Sequence, residues 1–396
     1  MLLPSRRRQG PIFDKGATHA GHIRPRSGAL TMTLLHAGAE RIRAQILAIL
    51  GAWGMEDDLA ATTAEAMVET DLMGVDSHGI SMLMMYEGQR RAGQLDLAAR
   101  PRVVRDLPSL ALMDGGANLG HPVAAAAMML AADKALAAGI GAVGVVNSHH
   151  FGAAGHYARL AAARGVVALI TSSARTVLMV PTRGAMPMLG SNPLAFAAPM
   201  PGGAPVVLDI ATTTVAANKV KVYELNGKPI PEGWVVDGAG QPITESTAAM
   251  AQIFREPAGG ITPLGGAERT GGHKGYGLGL MVQILSATLT GASFSPLRNR
   301  SQGAGEPDNI GHFFLALDPR ALRPDGGYED DIAEMIALLR ATPAADPDLP
   351  VLVPGDPEMT ERARRLADGV PIPVALDRHI RDICERCGAP YLLQAE

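Results

Sequence analysis

Apolar residues recur at helical spacing through Ile42, Ile46, Ile49, Leu50 and Trp53, the pattern of a helix with one buried face. A second helix is expected over residues 56–72, delivering a polar island, Asp76-Ser77-His78-Gly79, at its C-terminal end. Pro122 opens an alanine-rich helix that stops near Gly139, with proline in its first turn and glycine after its last. The apolar run 142–146 predicts a strand. It leads into a second polar island, Asn147-Ser148-His149-His150-Phe151-Gly152-Ala153-Ala154-Gly155-His156. A helix over 153–164 and a strand over 166–171 complete a β-α-β unit. Further strands are expected at 194–198, 206–209 and 313–317. Further helices are expected at 213–220, 274–290, 331–340, 360–368 and 377–387. Loops rich in Gly and Pro cover 226–241, 259–272 and 295–308. This alternation predicts an α/β fold with a mixed sheet.

Composition narrows the classes. The 396 residues suffice for a large core. A net charge of −4 gives no basic field for nucleic acid. Two cysteines, Cys384 and Cys387, build no disulfide framework, which fits a reducing cytoplasm. The uncharged run 276–294 is broken by Gly277, Gly279, Gln283, Ser286 and Gly291, so it reads as a buried core helix and no membrane partner is expected. Residues 1–31 carry Arg6-Arg7-Arg8 and no apolar stretch. They read as a disordered leader, dispensable for activity, and not as a secretory signal.

Of the eleven histidines, His78, His121, His149, His150, His156 and His273 lie in or beside glycine-rich turns. Imidazole titrates near neutrality and is the usual general acid/base. Two histidine turns, each beside Ser and Gly, suggest a joint site at the strand ends of an α/β fold. The stretch 139–144 matches G-x-G-x-x-G, but a helix precedes it and a strand follows, the reverse of a dinucleotide fingerprint. It reads as a helix cap and tight turn. Cys384-Glu385-Arg386-Cys387 has no second ligand pair, and no H-E-x-x-H occurs, so no metal is expected. Lys274, behind Gly271 and Gly272 at a helix start, suits a phosphate or carboxylate.

At these residues the chain resembles the type-2 malate/L-lactate dehydrogenase family from about Met32 to its C-terminus. The resemblance rests on Asp76-Ser77-His78-Gly79, residues 147–152, Gly190-Ser191-Asn192-Pro193, Asp209-Ile210-Ala211, Lys274-Gly275, residues 309–314 and Pro354-Gly355. It implies a non-Rossmann oxidoreductase using NAD or NADP, a homodimer acting on a small molecule. The expected reaction interconverts a 2-hydroxy acid and a 2-oxo acid. The alternatives are reduction of a cyclic 2-imino acid and a non-catalytic nucleotide-binding relative. The family carries proton transfer over to His150 or His78. Ser77, Tyr86 and Arg183 are expected at the substrate. Asp209, Ile210, Ala211, Lys274, Gly275, Pro354 and Gly355 fall on cofactor-binding segments. Residues 32–396 are expected to form one catalytic unit. Within it, 32–120 and 311–396 would make a helical substrate lobe and 121–310 a cofactor lobe. One departure stands out: many members carry an Arg three places after the Ser-His-Gly glycine, where this chain has Met82.

Overall fold

In the computed structural model, residues 35–394 are described; the expected leader, 1–31, lies outside them. The described residues form one compact unit. Its twelve strands are β1 (Leu35–Ala37), β2 (Arg102–Asp106), β3 (Leu110–Asp114), β4 (Ile140–Ser148), β5 (Val167–Ser172), β6 (Leu194–Ala198), β7 (Val206–Ile210), β8 (Val235–Val236), β9 (Pro242–Ile243), β10 (Gly260–Ile261), β11 (Ile310–Leu317) and β12 (Val370–Ile372). Seven of them form the central sheet, in the order β2-β3-β4-β11-β5-β6-β7. Only β3 and β4 are parallel neighbours; every other pairing in the sheet is antiparallel. The fold is therefore a mixed α/β arrangement.

The first eight α-helices are α1 (Ala39–Ala52), α2 (Asp57–Leu72), α3 (Leu83–Arg91), α4 (Gly120–Ala138), α5 (Ala154–Ala163), α6 (Ala217–Leu225), α7 (Ser246–Phe254) and α8 (Gly272–Gln283). Helices α4 and α5 cover one face of the sheet, burying Val143, Val145, Phe314 and Ala316. Side chains alternate along a strand. Accordingly Gly144 faces the other way, toward Thr290. The five-residue π-helical turn Ile284–Thr288 extends α8 and packs on that second face.

The G-x-G-x-x-G stretch is the turn between α4 and β4. Gly139 has φ +83° and donates its N–H to the Ala135 carbonyl at 2.7 Å, a left-handed helix cap. A Cβ on Gly141 would run into the Ala131 carbonyl, so these glycines serve close helix–strand packing.

Several elements differ from the sequence expectation. Strands β4 and β5 flank β11, which comes from far along the chain and is antiparallel to both. The expected boundary between 310 and 311 therefore falls inside β11, in the middle of the sheet. The sheet draws on both expected lobes. The N-terminal helices do share a core with the C-terminal helix Val374–Cys387, through Ile42, Ile46, Ile380 and Ile383. Helix α6 starts at Ala217, not 213, because Thr213 is held in a bridge to Pro263. The expected loop at 295–308 contains a short helix, Ser295–Ser301. No helix among the described residues is long and apolar enough to cross a membrane.

Candidate active site

A cleft of about 630 Å³ opens where α2, the β4–α5 turn and the ends of β5 and β7 converge. His78, His150, Ser77, Asp209, Ile210 and Ala211 all line it. The two polar islands thus meet, as their composition suggested. The His78 and His150 rings are 5.4 Å apart, centroid to centroid.

Each ring is fixed through Nδ1. The Ser77 hydroxyl lies 2.7 Å from His78 Nδ1. The Tyr86 hydroxyl lies 2.8 Å from His150 Nδ1, which also receives the Gly152 N–H at 3.4 Å. The long Gly152 contact favours an acceptor at Nδ1 in the resting ring, but the Tyr86 hydroxyl can donate or accept, so the ring can also carry its proton on Nδ1 and leave Nε2 bare. Burial lowers the pKa of His78. Burial, reinforced by His78, His121 and His312, holds His150 well below the ordinary imidazole value. Tyr86 itself is fully buried, and burial raises its pKa, so the phenol keeps its proton. It stands behind His150 and orients that ring; direct substrate contact, expected from sequence, does not fit its burial.

The turn carrying His78 is built on a residue that sequence reasoning passed over. Asp71, buried in the last turn of α2, accepts the Ile80 N–H at 2.8 Å. A Cβ on Gly79 would fall inside the Asp71 carboxyl group, so only glycine fits there. Arg365 donates to the Asp71 carbonyl at 2.7 Å and pairs with Asp76, closing the turn from the other side. Burial raises the Asp71 pKa from 3.8 to about 8, opposed by the Ile80 N–H and Arg365 and assisted by Asp76. The only sequence signal was an acid among the apolar positions Val68 and Leu72.

A raised carboxyl holds its proton in the fold and releases it in the unfolded chain. Stability therefore declines as pH rises from 3.8 to about 8. Asp71→Asn keeps an acceptor for Ile80 without the charge. Its melting temperature should gain on wild type progressively across that window; a difference independent of pH would refute the neutral, buried Asp71.

Another part of the lining suits a nucleotide. Asp209 faces the cavity at the end of β7 and accepts the Gly155 N–H at 2.7 Å, at the start of α5. Its side chain is open to the cavity, but the enclosing protein walls desolvate the carboxyl and raise its pKa to about 6 against that N–H, Glu358 adding to the rise and Arg159 opposing it. Residues Ala216, Ala217 and Asn218 line the cleft at the N-terminus of α6, which no side chain caps. Free N–H groups at such an end suit a phosphate. Glu358 Oε2 and Arg159 Nε are buried without partners at the same wall. This set fits a dinucleotide: carboxylates for ribose hydroxyls, helix N–H groups for phosphate, and histidines at the reacting end.

The other expected residues lie outside the cleft lining. Arg183 is exposed and makes a two-point ion pair with Glu268, at 2.9 and 2.7 Å. Lys274 is exposed at the start of α8. Gly275 lets α8 approach Leu264, where a Cβ would clash with the backbone. Pro354 and Gly355 abut β7, the Pro354 carbonyl accepting the Val207 N–H at 3.1 Å.

Comparison with known proteins bears on this geometry. The family model described as malate/L-lactate dehydrogenase matches residues 38–381. Malate dehydrogenase of Pyrococcus abyssi is 36% identical over 350 residues, 88% of this chain and 93% of that protein. The (2R)-3-sulfolactate dehydrogenase (NADP(+)) of Chromohalobacter salexigens is 37% identical over 294 residues, 74% of this chain and 84% of that protein. Among solved structures, malate dehydrogenase from Entamoeba histolytica superposes with a TM-score of 0.85 at 26% identity, covering 90% of this chain and 99% of that one. The delta1-piperideine-2-carboxylate reductase from Pseudomonas syringae superposes with a TM-score of 0.74 at 28% identity, covering 88% and 99%.

Proposed function

From its membership of the malate/L-lactate dehydrogenase family, we propose that this chain interconverts a 2-hydroxy acid and its 2-oxo acid with NAD or NADP, His150 transferring the proton. The family is one of hydroxy-acid dehydrogenases. The observation that carries the finer reading is His150 itself: a cleft-lining imidazole whose Nδ1 is fixed by Tyr86, leaving Nε2 for the substrate oxygen. The nicotinamide cofactor, when bound, supplies hydride exchange at carbon. To act as the base, His150 carries its proton on Nδ1, donated to the Tyr86 hydroxyl oxygen, so that Nε2 takes the hydroxyl proton during oxidation and the resulting imidazolium returns it to the carbonyl oxygen during reduction. His78, held by Ser77, faces the same space and orients the oxygen. Asp209, Ile210 and Ala211 serve the cofactor wall, with Pro354 and Gly355 supporting β7. Lys274 and Gly275 enter this reading through the family resemblance alone.

The depressed pKa of His150 sets the pH dependence. Oxidation needs the neutral ring, so kcat/KM for oxidation should stay flat as pH falls through 6.5, the ordinary imidazole value, and decline only below it. Reduction needs the imidazolium and should accelerate toward acid. Following nicotinamide absorbance in both directions across pH tests this. An acidic limb of oxidation at or above 6.5 would count against His150 as the base.

Reduction of a cyclic 2-imino acid is the second reading, supported by the likeness to the piperideine-2-carboxylate reductase structure. Assaying 2-oxo and cyclic 2-imino acids with NADH and NADPH decides between them. The implied homodimer is supported by exposed apolar side chains along α8 and its π-helical extension, Leu280, Met281 and Ile284.

A further inference from the structure

We propose that Arg175, locked by the buried Asp308, is the substrate-carboxylate clamp of this chain and shares its cleft with a methionine wall, so that the substrate is a monocarboxylic 2-oxo or 2-hydroxy acid with an apolar side chain. This rests on the 2-hydroxy acid reading above and names the substrate class within it.

A carboxylate substrate calls for a guanidinium near the reacting carbon, since Arg binds carboxylates through two parallel hydrogen bonds. Position 82 does not provide one; Met82 lines the cleft instead. The cleft lining holds two arginines, Arg159 and Arg175. Arg159 stands at the wall assigned to the cofactor, where burial lowers its pKa against the pull of Glu358, Asp209 and Glu69 and its Nε is buried without a partner. Arg175 is different. Its Nε lies 2.7 Å from Asp308 Oδ2. Asp308 is its sole ion-pair partner among the described residues, and the side chain is 45% exposed.

Asp308 is built to hold this cation beside the proton-transfer residues. It is fully buried, and its Oδ2 accepts from Gln89 on α3 at 2.9 Å, one helical turn after Tyr86. His149 Nδ1 lies 3.7 Å from the same oxygen. Burial would raise the Asp308 pKa, but His149 and Arg175 outweigh it and hold the group ionised, at about 2. One anchored carboxylate thus joins the helix of Tyr86, the residue before His150 and the guanidinium.

Met73, Val75, Met82 and Met85, which flank the His78 turn along the chain, line the same cleft. Thioether side chains adapt to apolar groups of varied shape and give no partner to a second anion. A second substrate carboxylate or sulfonate would be left against that wall without a cation, a costly placement.

The test uses the full chain with NADH and NADPH. In wild type, 4-methyl-2-oxopentanoate should exceed both oxaloacetate and 3-sulfopyruvate in kcat/KM by at least about tenfold, one unpaired charge-assisted contact. Preference for either dianion would overturn the proposal while leaving the 2-hydroxy acid reading intact. Failure of every 2-oxo acid would remove that reading and the proposal with it. Arg175→Gln should raise the KM for 4-methyl-2-oxopentanoate by about ten- to a hundredfold. Arg175→Lys, which keeps a cation beside Asp308, should recover part of the loss. Cofactor affinity, read by nicotinamide fluorescence, should hold in both. An unchanged KM in Arg175→Gln, or an equal loss of cofactor affinity, would overturn the clamp. Met82→Arg should improve kcat/KM for oxaloacetate relative to 4-methyl-2-oxopentanoate; no change in that ratio would remove Met82 from the subsite.

Discussion

His150→Ala should lower kcat by about 10²- to 10⁴-fold in both directions, the usual cost of losing a general acid/base. The melting temperature and cofactor affinity should change little, because the ring borders the cleft and is not part of an apolar core. The acidic limb of the pH profile should disappear along with the titrating group. His78→Ala should also slow turnover, with a different signature. A protonated His78 depresses the His150 pKa. Without it, the acidic limb should persist and move to higher pH. If the limb survives in the His150 variant and vanishes in the His78 variant, their roles are exchanged. Near-wild-type rates in both would sink the assignment.

The second large effect is expected from a glycine that touches no substrate. Gly79→Ala places a methyl group inside the Asp71 carboxyl. Either Asp71 moves and leaves the buried Ile80 N–H without its acceptor, or the turn moves and takes His78 with it. Overpacking and an orphaned buried donor each cost about 1–3 kcal/mol. The variant should lose melting temperature and at least about tenfold in kcat, as small displacements at a reacting centre do. Gly88 in α3 is the control: a Cβ there meets nothing within 4 Å, and alanine should be neutral or stabilising. The double variant Asp71→Ala/Gly79→Ala removes the clash. Its loss of stability should be smaller than the sum of the single losses, a coupling that a double-mutant cycle reads directly. Strict additivity would show that the two residues do not touch.

Where the period of apolar positions was clean, the sequence reading located the elements closely. Helices α1, α2 and α4 and strands β5 and β6 fall within a few residues of their expected bounds. Elements without such a period were missed. Every residue of β2 is exposed, so nothing in its pattern marks a buried face. Helix α3 is short and carries Glu87, Gln89, Arg90 and Arg91. Its polar residues are partly buried, because Gln89 and Glu87 are matched by Asp308 and Arg386 from distant segments.

The site shows the same division. Sequence by itself determined the chemistry available: two histidine turns at the ends of helix and strand, an α/β alternation around them, and a family pattern broken at Met82. Those features are local, set by side-chain type and by periods of a few residues. Tertiary structure alone decided which groups meet. It inserted β11 between β4 and β5 and so brought Asp308, just ahead of that strand, beside His149 and Arg175. It put Tyr86 behind His150, seated Gly79 on Asp71, and left Arg183 on the surface while Arg175 entered the cleft. The physical reason is that buried polar groups must find partners, and these come from wherever the packed chain presents them. No local pattern along the sequence encodes those long-range pairings.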